Sequence, residues 1–117
     1  MPNREAGLAA EQRARDYLMR RGLQLIESNY HSRFGEIDLI LRDGDVLVFA
    51  EVRMRGSNTF GGARASITAA KQAKLIKTAS QYLMRFSRPP ACRFDAVLLG
   101  AANDDTIEWI KNAFSAD

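Results

Sequence analysis

Small and apolar residues recur at three- and four-residue spacing from 4 to 21. Gly7, Ala10, Ala14, Tyr17 and Leu18 share one helical face with Glu11, which predicts a first helix. Asn3 is placed to cap its start, and Gly22 to stop it after Arg20 and Arg21. The period then shortens. Residues 23–27 (LQLIE) read as a short strand and residues 28–35 (SNYHSRFG) as a polar connection. β-Branched and large apolar residues fill 36–42 (EIDLILR) and 46–54 (VLVFAEVRM), two strands joined by the hairpin-turn signal Asp43-Gly44-Asp45. Residues 55–64 (RGSNTFGGAR) have no apolar period and read as a basic loop. A long helix is predicted from Ser66 or Thr68 to about Phe86. Its stripe would be Ile67, Ala70, Ala73, Ile76, Ala79, Leu83 and Phe86, and Arg88-Pro89-Pro90 would end it. Residues 93–99 (RFDAVLL) and the segment TIEWIKNAF read as the last two strands. The order α-β-β-β-α-β-β predicts an α/β fold, one domain over 1–117, with a mixed sheet flanked by helices.

Composition narrows the chemistry. The chain has 117 residues, enough for one core, and its 46% hydrophobic and 26% charged content is that of an ordinary globular domain. No apolar run reaches the ~18 residues of a membrane-spanning helix. The charged N-terminus offers no signal-peptide core, so a cytoplasmic, non-membrane protein is expected. Cys92 is the only cysteine and reads as a small buried hydrophobe; the only histidine, His31, reads as a polar loop residue. Chemistry therefore falls to carboxylates, lysine and arginine. The net charge is +3, with 17 Lys+Arg against 14 Asp+Glu, and it is patchy: bases crowd into 13–21, 53–64 and 71–77, acids into 36–51 and 104–108. Acids set in basic surroundings suit a metal-dependent enzyme acting on a polyanion, although on charge alone a solvated surface of mixed sign is the simpler reading.

Three carboxylates stand where apolar residues belong. Glu11 interrupts the first helix's stripe, Asp38 lies between Ile37 and Leu39, and Glu51 follows VLVFA directly. A turn at Gly44-Asp45 sets Asp38 directly opposite Glu51; a turn at Asp43-Gly44 makes them diagonal neighbours; a three-residue turn puts them on opposite faces. Opposed carboxylates repel, and a cation between them relieves the repulsion; Mg²⁺, with its hard oxygen ligands, suits such a pair. Arg53 points to the same face as Glu51. Plainer readings exist for each. Glu11 can pair with Arg15, and the hairpin acids can be edge-strand charges. Lys71, Lys74 and Lys77 can be a solvated helix face. Asp95 reads either as support to a site or as the close of a strand end.

The segment Gly35-Glu36-Ile37-Asp38-Leu39-Ile40, the Asp-Gly turn and Leu47-Val48-Phe49-Ala50-Glu51-Val52-Arg53 together resemble the YraN family, an uncharacterised bacterial protein family. The resemblance continues through Phe60-Gly61, Lys71, Tyr82-Leu83, Arg93-Phe94-Asp95 and Asn112-Ala113-Phe114, nearly the whole chain. That family is similar to archaeal Holliday-junction resolvases and to restriction-endonuclease-like nucleases, which share a D-(x)n-E-x-K core on a hairpin, often with a further Glu on the first helix. The resemblance implies a restriction-endonuclease-like mixed sheet, with Asp38, Glu51 and Glu11 as metal-binding acids. Its lysine position falls on Arg53, where this sequence departs from the pattern. Arg keeps its charge and cannot act as a general base, but it can steady charge on a phosphate.

The expected activity is therefore Mg²⁺- or Mn²⁺-dependent phosphodiester hydrolysis on DNA, branched DNA included. Glu11, Asp38, Glu51 and Arg53 would be the working residues, and Arg55, Arg64, Lys71 and Lys74 the grip on the nucleic acid. A non-catalytic DNA-binding or adaptor module retaining the fold is the alternative, and Arg53 is the feature favouring it. A homodimer is expected by analogy with two-fold resolvases, with Ile107, Trp109 and Ile110 as a candidate surface.

Overall fold

Residues 47–50 are buried on both faces of their strand, so that strand must lie inside a sheet covered on both sides. The computed structural model, which describes residues 4–54, 67–100 and 106–116, shows this arrangement. Helix α1 (Arg4–Arg20) leads into β1 (Gln24–Ser32), β2 (Gly35–Asp43) and β3 (Val46–Met54), an antiparallel meander. Helix α2 (Ala69–Leu83) crosses over to β4 (Cys92–Leu99), which runs parallel to β3, and β5 (Ile107–Phe114) closes the sheet antiparallel to β4. Strand order along the five-stranded sheet follows chain order. It is a single α/β domain with a mixed sheet and a helix on each face, consistent with a restriction-endonuclease-like fold.

The period-2 pattern distributes the core. Leu39 and Leu41, Val48 and Ala50, and Val97 and Leu99 face α1, where Ala10, Ala14 and Leu18 cover them. Ile40, Leu47, Phe49 and Phe94 face α2, beneath Leu75, Ala79 and Tyr82. Between β2 and β3 the turn is Gly44-Asp45: Asp43 pairs with Val46, and Gly44 takes the positive φ (62°) that opens a II′ turn.

Several expectations change. Strand β1 continues through Ser32, and the connection shrinks to Arg33-Phe34. A register shift between Leu25 and Glu27 and the left-handed Asn29 (φ 53°) bend the strand so that Tyr30 pairs with Ile37 and packs on the α2-side core. His31 thus sits on a strand, its Nδ1 3.3 Å from the Glu36 carboxylate. In α2 the buried residues are Leu75, Thr78, Ala79 and Tyr82, while Ala70, Ala73 and Phe86 are exposed. Alanines bury too little area to fix a helix's phase; the Tyr82 ring, packed edge-on against Tyr30 and Phe49, fixes it. Thr68 caps α2 by accepting the Lys71 N–H at 3.1 Å, and the helix ends at Leu83 rather than Phe86. Cys92 opens β4 and is exposed, because strand-end position rather than residue type decides its burial.

Ile107 and Trp109 already pack against the α1-side core of their own chain. Arg55, Phe60 and Arg64 lie outside the described residues. Among those described, no helix is long and apolar enough to cross a membrane.

Candidate metal and phosphate site

The β2–β3 ladder runs from Asp43↔Val46 to Leu39↔Ala50, and the next pair in that register is Asp38 and Glu51. Both are buried, 8% and 5% exposed. The two-residue turn decides this, since one more residue would send one acid to the other face. Asp38 Oδ2 accepts the Val52 N–H at 2.8 Å, so an acid rather than a neighbouring strand satisfies that amide. Its carboxyl also hydrogen-bonds Glu51. Burial first, and then this contact and the charge of Glu51, push the Asp38 pKa up to about 8 against the pull of the Val52 N–H and Lys71. The raised value favours the neutral form of Asp38 beside Glu51.

Among the described residues two cations border Glu51. Arg53 Nε stands 4.0 Å from Glu51 Oε2, as the shared strand face requires. Lys71 Nζ, from the first turn of α2, stands nearer, at 3.4 Å. In the observed helix phase Lys71 heads the sheet-facing stripe Lys71-Leu75-Thr78-Tyr82, which carries its ammonium to the acids. Reading Lys71 only as part of a nucleic-acid grip missed this place. A correctly phased stripe shows a lysine where an apolar residue belongs. Lys74, also assigned to the grip, is exposed on the same helix.

Glu11 reaches the site's edge from α1. Its carboxyl pKa is raised, chiefly by burial and then by the charge of Asp38, while a side-chain hydrogen bond from Asn29 opposes the rise. Asn29, left-handed at the β1 bend, was not foreseen; it lines with Glu11, Gln12, Arg15, Ser28 and the apolar Leu8 and Leu39 a cavity of about 200 Å³. Arg15 pairs with Asp16 rather than Glu11. Asp95 serves elsewhere. Fully buried, it accepts from Arg93 Nε, Trp109 Nε1 and the Asn112 N–H at 2.9–3.2 Å, and Arg93 also reaches Asp43 at 2.8 Å. That knot ties β4 to β5 and to the β2–β3 turn.

A hard divalent cation fits the residues present. Glu51 Oε2 is buried and takes no hydrogen bond among the described residues, and the charge of Glu51 helps to raise the Asp38 pKa, a repulsion that an ion between the two carboxylates would relieve. Among the described residues no three acids or other metal-binding side chains gather closely enough to form a complete shell. Asp38 and Glu51 thus offer a pair of ligands, the number Mg²⁺ commonly takes from protein, the rest being water and phosphate.

Known proteins provide the family. Residues 10–99 match the profile of the uncharacterised protein family UPF0102. A UPF0102 protein of Nitrosomonas europaea is 56% identical over 108 residues, covering 92% of each chain. One from Methylobacillus flagellatus is 54% identical over 97% of this chain and 99% of its own. Another, from Nitrosospira multiformis, is 50% identical over all of this chain and 98% of its own. The match spans both hairpin acids, Lys71 and the Asp95 knot, and the chain belongs to the UPF0102 family.

Proposed function

We propose that this protein is a divalent-cation-dependent endonuclease acting on DNA, branched DNA included, by phosphodiester hydrolysis. The observation that carries the reading is the buried, apposed pair Asp38 and Glu51, in which a Glu51 oxygen, without a hydrogen bond among the described residues, is flanked by the cationic side chains of Arg53 and Lys71. Asp38 and Glu51 would hold Mg²⁺ or Mn²⁺, with Glu11 adjoining through water. When bound, the cation supplies a Lewis acid that lowers the pKa of water and offsets charge on a phosphodiester. Lys71 and Arg53 face the same opening. There they would hold a phosphate and steady the additional negative charge that develops as water attacks phosphorus. Arg53 does this as a fixed charge, and Lys71 brings from the helix the amine that the strand pattern lacks. Lys74, with Arg55 and Arg64, would grip the backbone on either side. Two copies about a two-fold axis would cut paired strands symmetrically.

Cleavage of labelled linear duplex, single strand, flap and four-way junction with Mg²⁺ or Mn²⁺ tests the reading. Cutting by the natural protein and none by the Asp38→Ala/Glu51→Ala protein is the expected result. Binding without cutting would support the alternative, a DNA-binding module that keeps the fold, which Arg53 favours. DNA affinity of zero at low salt would remove both.

A further inference from the structure

A second concave surface lies beside the acids on the α2 side of the sheet. It is a cleft of about 560 Å³ between the β1–β2 turn and the outer flank of α2, lined by Arg33, Phe34, Ile76, Lys77, Gln81 and Met84. Its lining, among the described residues, holds two cations and no carboxylate. Among the described residues neither Arg33 nor Lys77 is paired with an acid, whereas Lys71, Arg85 and Arg93 all are. Helix α2 (AAKQAKLIKTASQYL) carries three lysines and no acid, so a positive edge runs from Lys71 beside Glu51, past Lys74, to Lys77 in the cleft.

The walls are apolar and aromatic. Met84 is 81% exposed, and the Arg33 guanidinium lies 4.9 Å from the centre of the Phe34 ring. The turn is held in place: Phe34 N–H donates to Ser32 Oγ at 3.0 Å, and a Cβ on Gly35 would lie 3.4 Å from Thr78 Oγ1 and 3.8 Å from Lys74 Cβ. A flat apolar wall with a guanidinium plane and an ammonium beside it is the surface that takes an unpaired base and its phosphate. From Phe34, which lines the cleft, to Asp38 is four residues, about 13 Å, which corresponds to about four nucleotides of a stacked strand.

We propose that this cleft receives an unpaired nucleotide of the DNA strand held at Asp38 and Glu51, and so directs the protein to DNA with a single-stranded segment about four nucleotides from the cut. The inference rests on the nuclease reading above. A second copy of the chain is the rival occupant, and it lacks charge complementarity: the cleft is cationic and the chain as a whole carries +3.

Fluorescence anisotropy without divalent ions tests it, using the full chain, a linear duplex and the same duplex carrying a short flap with 2-aminopurine in the unpaired segment. The natural protein binds the flap about 5- to 100-fold more tightly than the duplex, as one stacked base provides, and quenches the 2-aminopurine. Phe34→Ala abolishes both the preference and the quenching while leaving duplex affinity in place. Phe34→Leu, which keeps the packing volume and removes the ring, does the same with an unchanged Tm. Lys77→Gln weakens flap binding and lowers its salt slope by about one. Equal affinity of the natural protein for flap and duplex, or a preference that survives Phe34→Leu, overturns the proposal and leaves the nuclease reading standing. Absence of binding to either DNA overturns both. Concentration-dependent dimerisation abolished by Met84→Glu assigns the cleft to a second copy and overturns the proposal.

Discussion

Asp38→Asn tests the raised Asp38 pKa. In the folded protein burial and Glu51 hold the Asp38 pKa up to about 8, whereas an unfolded Asp titrates near 3.9. An acid whose pKa rises on folding makes its stabilising contribution below the unfolded value, and that contribution is lost as pH climbs through the folded one. Between about pH 5 and 7 the folded chain therefore binds up to one proton more than the unfolded chain at this pair. Linkage caps the resulting slope at about 1.4 kcal/mol lost per pH unit, or about 3 kcal/mol over that window. Asparagine keeps an oxygen for the Val52 N–H, 2.8 Å away in the natural protein, and offers its amide to Glu51 without a titratable proton. Urea unfolding of both proteins at pH 5, 6, 7 and 8, with chelator present, isolates Asp38 and the groups coupled to it, because every group remote from Asp38 cancels in the difference. The Asp38→Asn protein should gain steadily on the natural one as pH rises, and be the more stable of the two at pH 8. A difference that stays constant from pH 5 to 8 would refute a raised Asp38 pKa beside Glu51.

Ion binding must displace that proton, so Mg²⁺ affinity should rise up to tenfold per pH unit towards pH 8, with about one proton released per ion in calorimetry across buffers of different ionisation heat. Lys71→Met should cut DNA cleavage about 10²–10³-fold at an unchanged Tm, the loss expected for one charge aimed at a transition-state phosphate, while Lys111→Met leaves it intact. Asp95→Ala strands Trp109 Nε1 and the Asn112 N–H and breaks a buried pair with Arg93, and should cost about 3–5 kcal/mol in urea unfolding. Gly35→Ala places a Cβ 3.4 Å from Thr78 Oγ1 at a backbone φ of 146°, and should lower stability by more than about 1 kcal/mol.

Where the sequence was legible, one variable governed the answer. Hairpin geometry is local: once Gly44 takes the positive φ, the register places Asp38 opposite Glu51 and fixes which face each presents. The apolar runs likewise marked 46–54 and 93–99 as strands, the observed β3 and β4. The helix α2 was harder, because Ala70, Ala73 and Ala79 fit several phases and the tertiary contacts of Tyr82 chose among them. That choice turned Lys71 from a surface cation into a neighbour of Glu51. Asn29 was illegible for a different reason: its left-handed backbone arises from a strand bend that no single residue announces. Asp95 depended on Trp109 and Asn112, partners 14 and 17 residues away, which only strand pairing brings together.

The sheet's order along the chain divides the site between two halves. Residues 4–54 supply α1 and the meander, and with them Glu11, Asp38 and Glu51. Residues 67–116 supply α2, β4 and β5, and with them Lys71, Lys74 and Lys77. The halves meet along the parallel β3–β4 ladder and beneath α2. All of the site's acids thus arrive on one fragment and its helix-borne amines on the other. In a protein expressed as two pieces, divided between these halves, neither piece would carry both charge sets, and the proposed cleavage would return only on reassembly. On the proposed activity, the same split would make the molecule a reporter: fused to two interacting proteins, its halves would register their encounter as a nick in DNA.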